Sequence, residues 1–275
     1  NRTALDYSRS PYRASSMLRY IGKVGAVASA AIFTTQPYSV CGEAFDSDHG
    51  QITEKWTGTR FDQYKSIWTT SSNTICHRQI VKLVGVGPRC MLGNCVLPVF
   101  RAYSLGFYTE GDARQHTSLE DVVKDGSFAI SICLVVNRDT NGAHFAGGFT
   151  RSVMKRVDHL EEREVRDDLE KLAAIFRQRS NIRRGDRVVF TRSSDGSFLV
   201  SIQDRIVMSS DNVAFSNAIF RIYVGRDPVS RLAKDNFQAG WSQFRAGPSE
   251  DSDSTSGEMI VDLFSRDDEK LPKSI

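Results

Sequence analysis

"LVGVGPRCMLGNCVLPVFRAYSLGFYTEG", residues 83–111, carries the clearest fold signal in the sequence. Its two glycines, Gly85 and Gly87, could form a phosphate-binding loop, but neither a third glycine in register nor a Lys-Ser/Thr pair follows them. The stretch is instead rich in β-branched and aromatic residues, with a Gly-Asn step near its middle. We therefore predict strand, turn and strand, with the two glycines at a sheet edge or bulge and Arg89 projecting from the first strand.

Segments on both sides of this stretch extend the pattern. A short helix is predicted over 118–126, with Ser118 as its N-cap and acidic residues in its first turn. Strands are predicted at 54–61, 79–86, 95–109 and 127–137, with a polar loop between the first two.

The second half changes from strand to helical periodicity. From about Phe149, apolar residues between Val153 and Phe176 recur at near-helical spacing in a charged segment that ends at "RSNIRRGD" (179–186), which predicts one long amphipathic helix or two abutting ones. Two strands follow about an Asp195-Gly196 turn, then a helix with Asp211 near its cap and a last helix from Ser230. This order predicts an α+β fold, a large antiparallel β-sheet covered on one face by a layer of α-helices.

Composition narrows the class of protein. The chain has 275 residues, 40% hydrophobic and 25% charged, with a formal net charge of +3. These values suit a soluble globular protein, and the balanced charge without RNA-binding aromatic motifs argues against a nucleic-acid partner. The five cysteines are odd in number and contain no C-x-x-C pair, so we predict buried thiols in a reducing compartment, with neither a disulfide framework nor a metal site.

The chain ends differ in composition from its middle, which predicts an N-terminal extension (1–53), a main domain (54–245) and a C-terminal tail (246–275). Residues 1–23 are rich in Arg and Ser and poor in acids, as in mitochondrial transit segments and their flanks. Residues 24–33 are uniformly apolar but shorter than the ~20 residues of a spanning helix, which favours a helix on a membrane surface or partner over a full span. After an acidic, linker-like stretch, "MIVDLF" (259–264) is apolar and could dock on a partner or pack on its own domain.

The order of several motifs resembles a known family. "EKWTGTRF", "LVGVGPR", "YSLGFYTEGDA", "VVFTRSSDGSFLVSI" and "NAIFRIYVGRDPVS" follow one another at the family's spacing, and His144, Gly148, Phe149 and Arg151 match a His-x-x-x-Gly-Phe-x-Arg stretch. From Glu54 to Phe244 the chain resembles the chalcone isomerase fold family. It is most similar to the mitochondrial branch, known from fungi as altered-inheritance-of-mitochondria proteins.

The resemblance implies roles for several residues. Arg89 stands where the enzymes and their fatty-acid-binding relatives hold an anionic ligand oxygen, and Tyr103 matches the tyrosine that shares the carboxylate in the fatty-acid binders. Alternatively, Arg89 pairs with an acid of this protein or a partner, and Tyr103 is a core or rim residue. The enzymes' other polar catalytic positions fall on Phe149, Arg156 and Ile222, which lack the required hydroxyls and amide. His144 could be an axial ligand if haem is bound, as in some fungal members.

These observations predict a non-catalytic protein in the mitochondrion, associated with the inner membrane. As a first hypothesis it is an accessory subunit of a large complex, an ATP synthase or a respiratory complex. As an alternative, it binds a fatty acid, another lipid or another amphipathic anion through Arg89 and Tyr103. Haem binding and active isomerisation are less favoured.

Overall fold

The computed structural model describes residues 50–70, 76–91 and 95–247, nearly all of the predicted main domain. The strands are β1 (Gln51–Thr53), β2 (Arg60–Asp62), β3 (Tyr64–Thr70), β4 (Cys76–Cys90), β5 (Arg101–Thr109), β6 (Ile130–Val136), β7 (Arg187–Arg192), β8 (Phe198–Ile202) and β9 (Arg205–Ser210). The helices are α1 (Leu119–Asp125), α2 (Gly142–Met154), α3 (His159–Arg177), α4 (Val213–Val224) and α5 (Arg231–Ala246).

The architecture is the predicted α+β fold. Strands β3 to β9 form one seven-stranded sheet in chain order, and every neighbouring pair is antiparallel. The main apolar core joins this sheet to the helices on one face, and a smaller apolar cluster that includes Phe61 of β2 lies against the sheet. The antiparallel sheet with its helical layer is therefore confirmed.

The glycines of β4 serve the packing of α5. A Cβ atom at Gly87 would lie 2.5 Å from the Cα of Ala233, and one at Gly240 would lie 1.9 Å from the carbonyl oxygen of Val84. The predicted bulge is present, since the β4–β5 register shifts between Leu83 and Gly85. The predicted sheet edge is wrong, because β4 lies between β3 and β5.

The first predicted strand, 54–61, is mostly a turn. The buried Glu54 carboxylate accepts hydrogen bonds of 3.0 Å from the backbone N–H groups of Trp56 and Thr57, and Gly58 has a φ of +71°. These local bonds compete with strand pairing, so β2 begins only at Arg60. Strand β3 occupies part of the segment expected to be a polar loop.

Most predicted helix boundaries agree with the observed caps. Ser118 caps α1 and Ser230 caps α5, as expected. The amphipathic segment forms two helices, since Asp158 caps α3 with a capping box and so starts a new helix after α2. Asn212 rather than Asp211 caps α4, because its side chain accepts from the N–H of Phe215. Likewise the strand predicted at 95–109 begins at Arg101, after a short 3-10 turn at Pro98–Phe100.

The prediction of buried thiols without a disulfide is wrong for one pair. Cys90 and Cys95 form a disulfide with Cα atoms 5.2 Å apart. The reversal of the chain between β4 and β5 brings their Cα atoms within bonding reach, which an odd cysteine count does not prevent. Cys133 is a buried free thiol, as predicted.

One buried acid ties α3 to the end of β9. Asp168 accepts hydrogen bonds from Lys171 at 2.9 Å, Ser210 at 3.0 Å and Asn212 at 3.1 Å. Burial raises the pKa of Asp168, but these hydrogen bonds outweigh it and leave the pKa below its ordinary value.

The described part of the chain contains no helix long and apolar enough to cross a membrane. The predicted apolar segments 24–33 and 259–264 lie outside the described residues.

Candidate functional site

A pocket of about 180 Å³ lies between strands β4 to β6 and helices α2 and α4. Five of the six residues singled out from the sequence line it, whereas Arg156 does not. The five are Arg89, Tyr103, His144, Phe149 and Ile222. The residues that the family resemblance singled out therefore converge on one cavity.

The register of the sheet brings Arg89 and Tyr103 together. They are directly opposite partners in the β4–β5 ladder, so their side chains leave neighbouring points of the sheet. A register irregularity follows between Arg89 and Cys90, and such bulges change the direction of nearby side chains. One guanidinium nitrogen of Arg89, Nη1, donates to the carbonyl oxygen of Cys90 at 3.1 Å.

Arg89 forms no ion pair with any carboxylate of the described residues. The alternative in which Arg89 pairs with an acid of its own domain therefore has no support within 50–247. A guanidinium stays charged when partly buried, so this one is available to an anion that enters the pocket.

Tyr223 of α4 is a site residue that the sequence reasoning missed. It directly follows the pocket residue Ile222 but does not itself line the pocket. Its side chain is buried, and its hydroxyl lies close to that of Tyr103 without a well-aligned hydrogen bond to any described residue. Burial raises the pKa of Tyr223, and the nearby Tyr103 raises it further. The only available signal was its place in the predicted helix, which did not show which way its hydroxyl points.

Both phenols are neutral donors at physiological pH. Burial also raises the pKa of Tyr103, against the opposing effects of Arg89, Tyr223 and Arg156. A protonated phenol can donate to an anionic oxygen. Arg89, Tyr103 and Tyr223 thus form a donor cluster, which we call the clamp.

Much of the pocket away from the clamp is apolar, and Arg138, Thr140, His144 and Ser152 also line it. Phe149 stacks on Phe190 with ring centroids 5.4 Å apart, and Phe145 meets Phe176 edge-on at 4.7 Å. Leu134 and Val136 of β6 add aliphatic surface to the lining. The cavity therefore combines a cationic, hydrogen-bonding end with a hydrocarbon-like wall.

Comparison with known proteins agrees with this geometry. Residues 111–238 match the family model described as chalcone isomerase like. This domain has the chalcone isomerase-like fold. A crystal structure of a fatty-acid binding protein from Arabidopsis thaliana superposes with a TM-score of 0.54 at 18% sequence identity, covering 72% of this chain and 100% of that chain. No curated protein sequence matches the chain significantly.

Two of the residues that the resemblance assigns to catalytic positions are apolar in this pocket. Phe149 and Ile222 line the cavity and carry no hydroxyl to order a water or bind a phenolic oxygen. Arg156 points elsewhere: its Nη1 donates to the carbonyl of Ser152 at 2.7 Å, and its other nitrogens contact Asp227. Arg156 therefore secures the end of α2 and does not line the pocket.

The residues present do not fit haem. His144 lines the chalcone isomerase-like pocket but is exposed, and about 180 Å³ is below the roughly 300–1,000 Å³ typical of ligand pockets. A porphyrin would require a larger cavity, so the haem hypothesis gains no support here. Within the described ranges, no group of three or more His, Cys, Asp or Glu side chains could hold a metal ion.

Proposed function

We propose that this protein binds a fatty acid or a similar amphipathic carboxylate in the pocket and catalyses no reaction on it. The observation that carries the proposal is the clamp. The Arg89 guanidinium forms no ion pair with a carboxylate of the described residues, and it lies beside the neutral phenols of Tyr103 and Tyr223. The Tyr223 hydroxyl is buried without a well-aligned hydrogen bond to any described residue. The Arabidopsis protein of similar fold is described as a fatty-acid binding protein, which supports this function.

The clamp suits a carboxylate. The fork of Arg89 can donate two hydrogen bonds to one carboxylate, and charge-assisted bonds of this kind are stronger than neutral ones. Tyr103 can donate to the same head group. A hydrogen bond from the Tyr223 hydroxyl to the ligand would relieve an energetic cost, because a buried hydroxyl without a partner destabilises the protein by about 1–3 kcal/mol.

The wall of the pocket suits the hydrocarbon tail and limits its length. Phe145, Phe149 and Ile222 offer apolar contact to the tail. Because the cavity of about 180 Å³ is smaller than most ligand pockets, we propose a short or medium acyl chain. The absence of hydroxyls from Phe149 and Ile222 also removes the polar groups that isomerisation would use.

Calorimetric titration with octanoate, laurate and palmitate tests the proposal. We expect saturable binding whose affinity stops rising before palmitate. Arg89→Ala should weaken it by roughly 1.5–3 kcal/mol, or about ten- to 150-fold, the usual worth of a hydrogen bond to a charged group. Arg177→Ala, which removes an arginine paired on the surface with Glu170, is the matched control and should bind as the wild type does. No binding of any acid, or equal binding by wild type and Arg89→Ala, would refute the proposal.

A role as accessory subunit of a mitochondrial inner-membrane complex is a second proposal. It is supported by the compositions of 1–53 and 246–275, which favour transit and docking segments. Lipid binding in the pocket and docking through the ends are compatible, since they use different parts of the chain.

A further inference from the structure

Four consecutive apolar residues, "VLPV" at 96–99, are exposed next to the pocket. Val96, Leu97 and Val99 are 69%, 51% and 62% exposed, and they make up three of the eight exposed large hydrophobic side chains in the described ranges. Single exposed aliphatic residues are ordinary on a soluble surface, but such a run is unfavourable unless it has a function. We call residues 95–100 the apolar loop.

The backbone of the apolar loop is held in place while its aliphatic side chains face outward. Arg101 donates to the carbonyl of Cys95 at 2.8 Å and to that of Val96 at 3.0 Å. Arg138 donates to the carbonyl of Val99 at 2.9 Å. Together with the disulfide at Cys95, these hydrogen bonds fix the backbone of the loop and leave its aliphatic side chains exposed. The exposed apolar surface is therefore built into the fold.

The apolar loop is linked to the pocket through Arg138, and two more arginines lie on a segment that contacts the residue after Arg138. Arg138, which holds the loop, also lines the pocket. Arg183 and Arg184 are exposed in the segment before β7. The backbone N–H of Arg184 donates to the carboxylate of Asp139, the residue after Arg138, at 2.7 Å. Asp186, a second acid here, is occupied by the N–H of Arg183 at 2.8 Å.

We propose that the apolar loop docks on an anionic lipid membrane. Aliphatic side chains can enter the interface between head groups and acyl chains while the flanking arginines contact anionic head groups. The arginines favour a negatively charged partner. The aliphatic residues favour a partner with an apolar interior, and an anionic membrane has both properties. Docking in this orientation places the pocket at the membrane, where an amphipathic carboxylate partitions. That last consequence rests on the proposed function, whereas docking itself does not.

Sedimentation of the full chain with vesicles tests the docking. Wild type should bind vesicles of phosphatidylcholine with phosphatidylglycerol and bind pure phosphatidylcholine less. The variant V96S/L97S/V99S should bind the anionic vesicles about tenfold or more weakly, because binding scales with buried apolar area. The variant R183Q/R184Q should also lose about tenfold, and its difference from wild type should shrink in high salt. The control L160S/I206S/V213S removes three exposed aliphatic side chains elsewhere and should bind as the wild type does.

Docking and ligand binding are separated by a second measurement. In the absence of vesicles, V96S/L97S/V99S should bind laurate with unchanged affinity, because none of its three positions lines the pocket. Equal vesicle binding by this variant and the wild type overturns the docking proposal, and so does equal loss in the control variant. If no fatty acid binds but the vesicle results are as expected, docking stands and the proposed function fails.

Discussion

Tyr223→Phe should strengthen the empty protein and weaken ligand binding. The substitution removes only the hydroxyl and keeps the ring in the core, so it creates no large cavity. In the empty protein this hydroxyl is buried without a described partner, a condition that costs about 1–3 kcal/mol. If ordered water satisfies part of that cost, the variant should still be more stable by about 1 kcal/mol, a rise in melting temperature of about 2–4 °C for a domain of this size.

The effect on binding has the opposite sign. We expect a carboxylate held by Arg89 and Tyr103 also to accept a hydrogen bond from the Tyr223 hydroxyl behind them, and removing that bond should weaken laurate binding by roughly 1–2 kcal/mol, about five- to thirtyfold. Urea unfolding of the ligand-free protein and calorimetric titration measure the two quantities separately. Tyr108→Phe is the matched control, since Tyr108 is a buried tyrosine of the smaller apolar cluster and not of the main core that contains Tyr223.

Two outcomes would contradict this account of Tyr223. Loss of stability in the ligand-free Tyr223→Phe protein would mean that the hydroxyl already has a good partner. Unchanged laurate affinity would mean that the hydroxyl does not reach the head group, and the clamp would then consist of Arg89 and Tyr103 alone.

Further predictions concern stability, chemistry and the chain ends. Asp168→Asn should lower the free energy of unfolding by about 1–2 kcal/mol at neutral pH, as measured by urea unfolding. Because the pKa of Asp168 is depressed in the folded protein, the wild type should lose this advantage as the pH falls below about 4. Purified protein should not accelerate chalcone cyclisation, and a measurable rate in a spectrophotometric assay would contradict the non-catalytic proposal. A chain without 1–45 and 248–275 should keep near-native thermal stability but no longer co-migrate with a large mitochondrial complex on native gels; co-migration of the truncated chain would exclude docking through the ends. Replacing both Cys90 and Cys95 by Ser should weaken vesicle binding and leave laurate affinity within about threefold; loss of laurate binding would show that the disulfide also positions the clamp.

The sequence was sufficient for the sheet and for much of the site because both depend on regular periodicity. Alternation along two strands placed Arg89 and Tyr103 in the sheet, and the antiparallel register then set them opposite each other. Phe149 and Ile222, by contrast, were singled out by the resemblance to the family, and both are buried. Tyr223 escaped prediction because the direction of its hydroxyl depends on how α4 packs in the domain, which no local pattern specifies.

Other features depend on side chains that compete with regular structure. Glu54 captures two backbone N–H groups and turns a predicted strand into a bend. Cys90 and Cys95 form a disulfide because a chain reversal brings them together, and their spacing is not that of a known cysteine motif. Such contacts are formed by a few atoms in three dimensions, so a single sequence shows the residues but not their partners.

The connection between β4 and β5 links the two proposed activities while keeping them mechanically separate. The clamp residues Arg89 and Tyr103 are fixed by ladder hydrogen bonds on paired strands, so their spacing does not require the loop beyond them. The apolar loop is fixed by other contacts, the disulfide at Cys95 and the donors Arg101 and Arg138. Arg138 belongs to both, because it holds the loop and lines the pocket. We therefore expect a membrane that neutralises Arg138 to change the charge of the pocket lining, and so to affect ligand binding without any movement of the sheet.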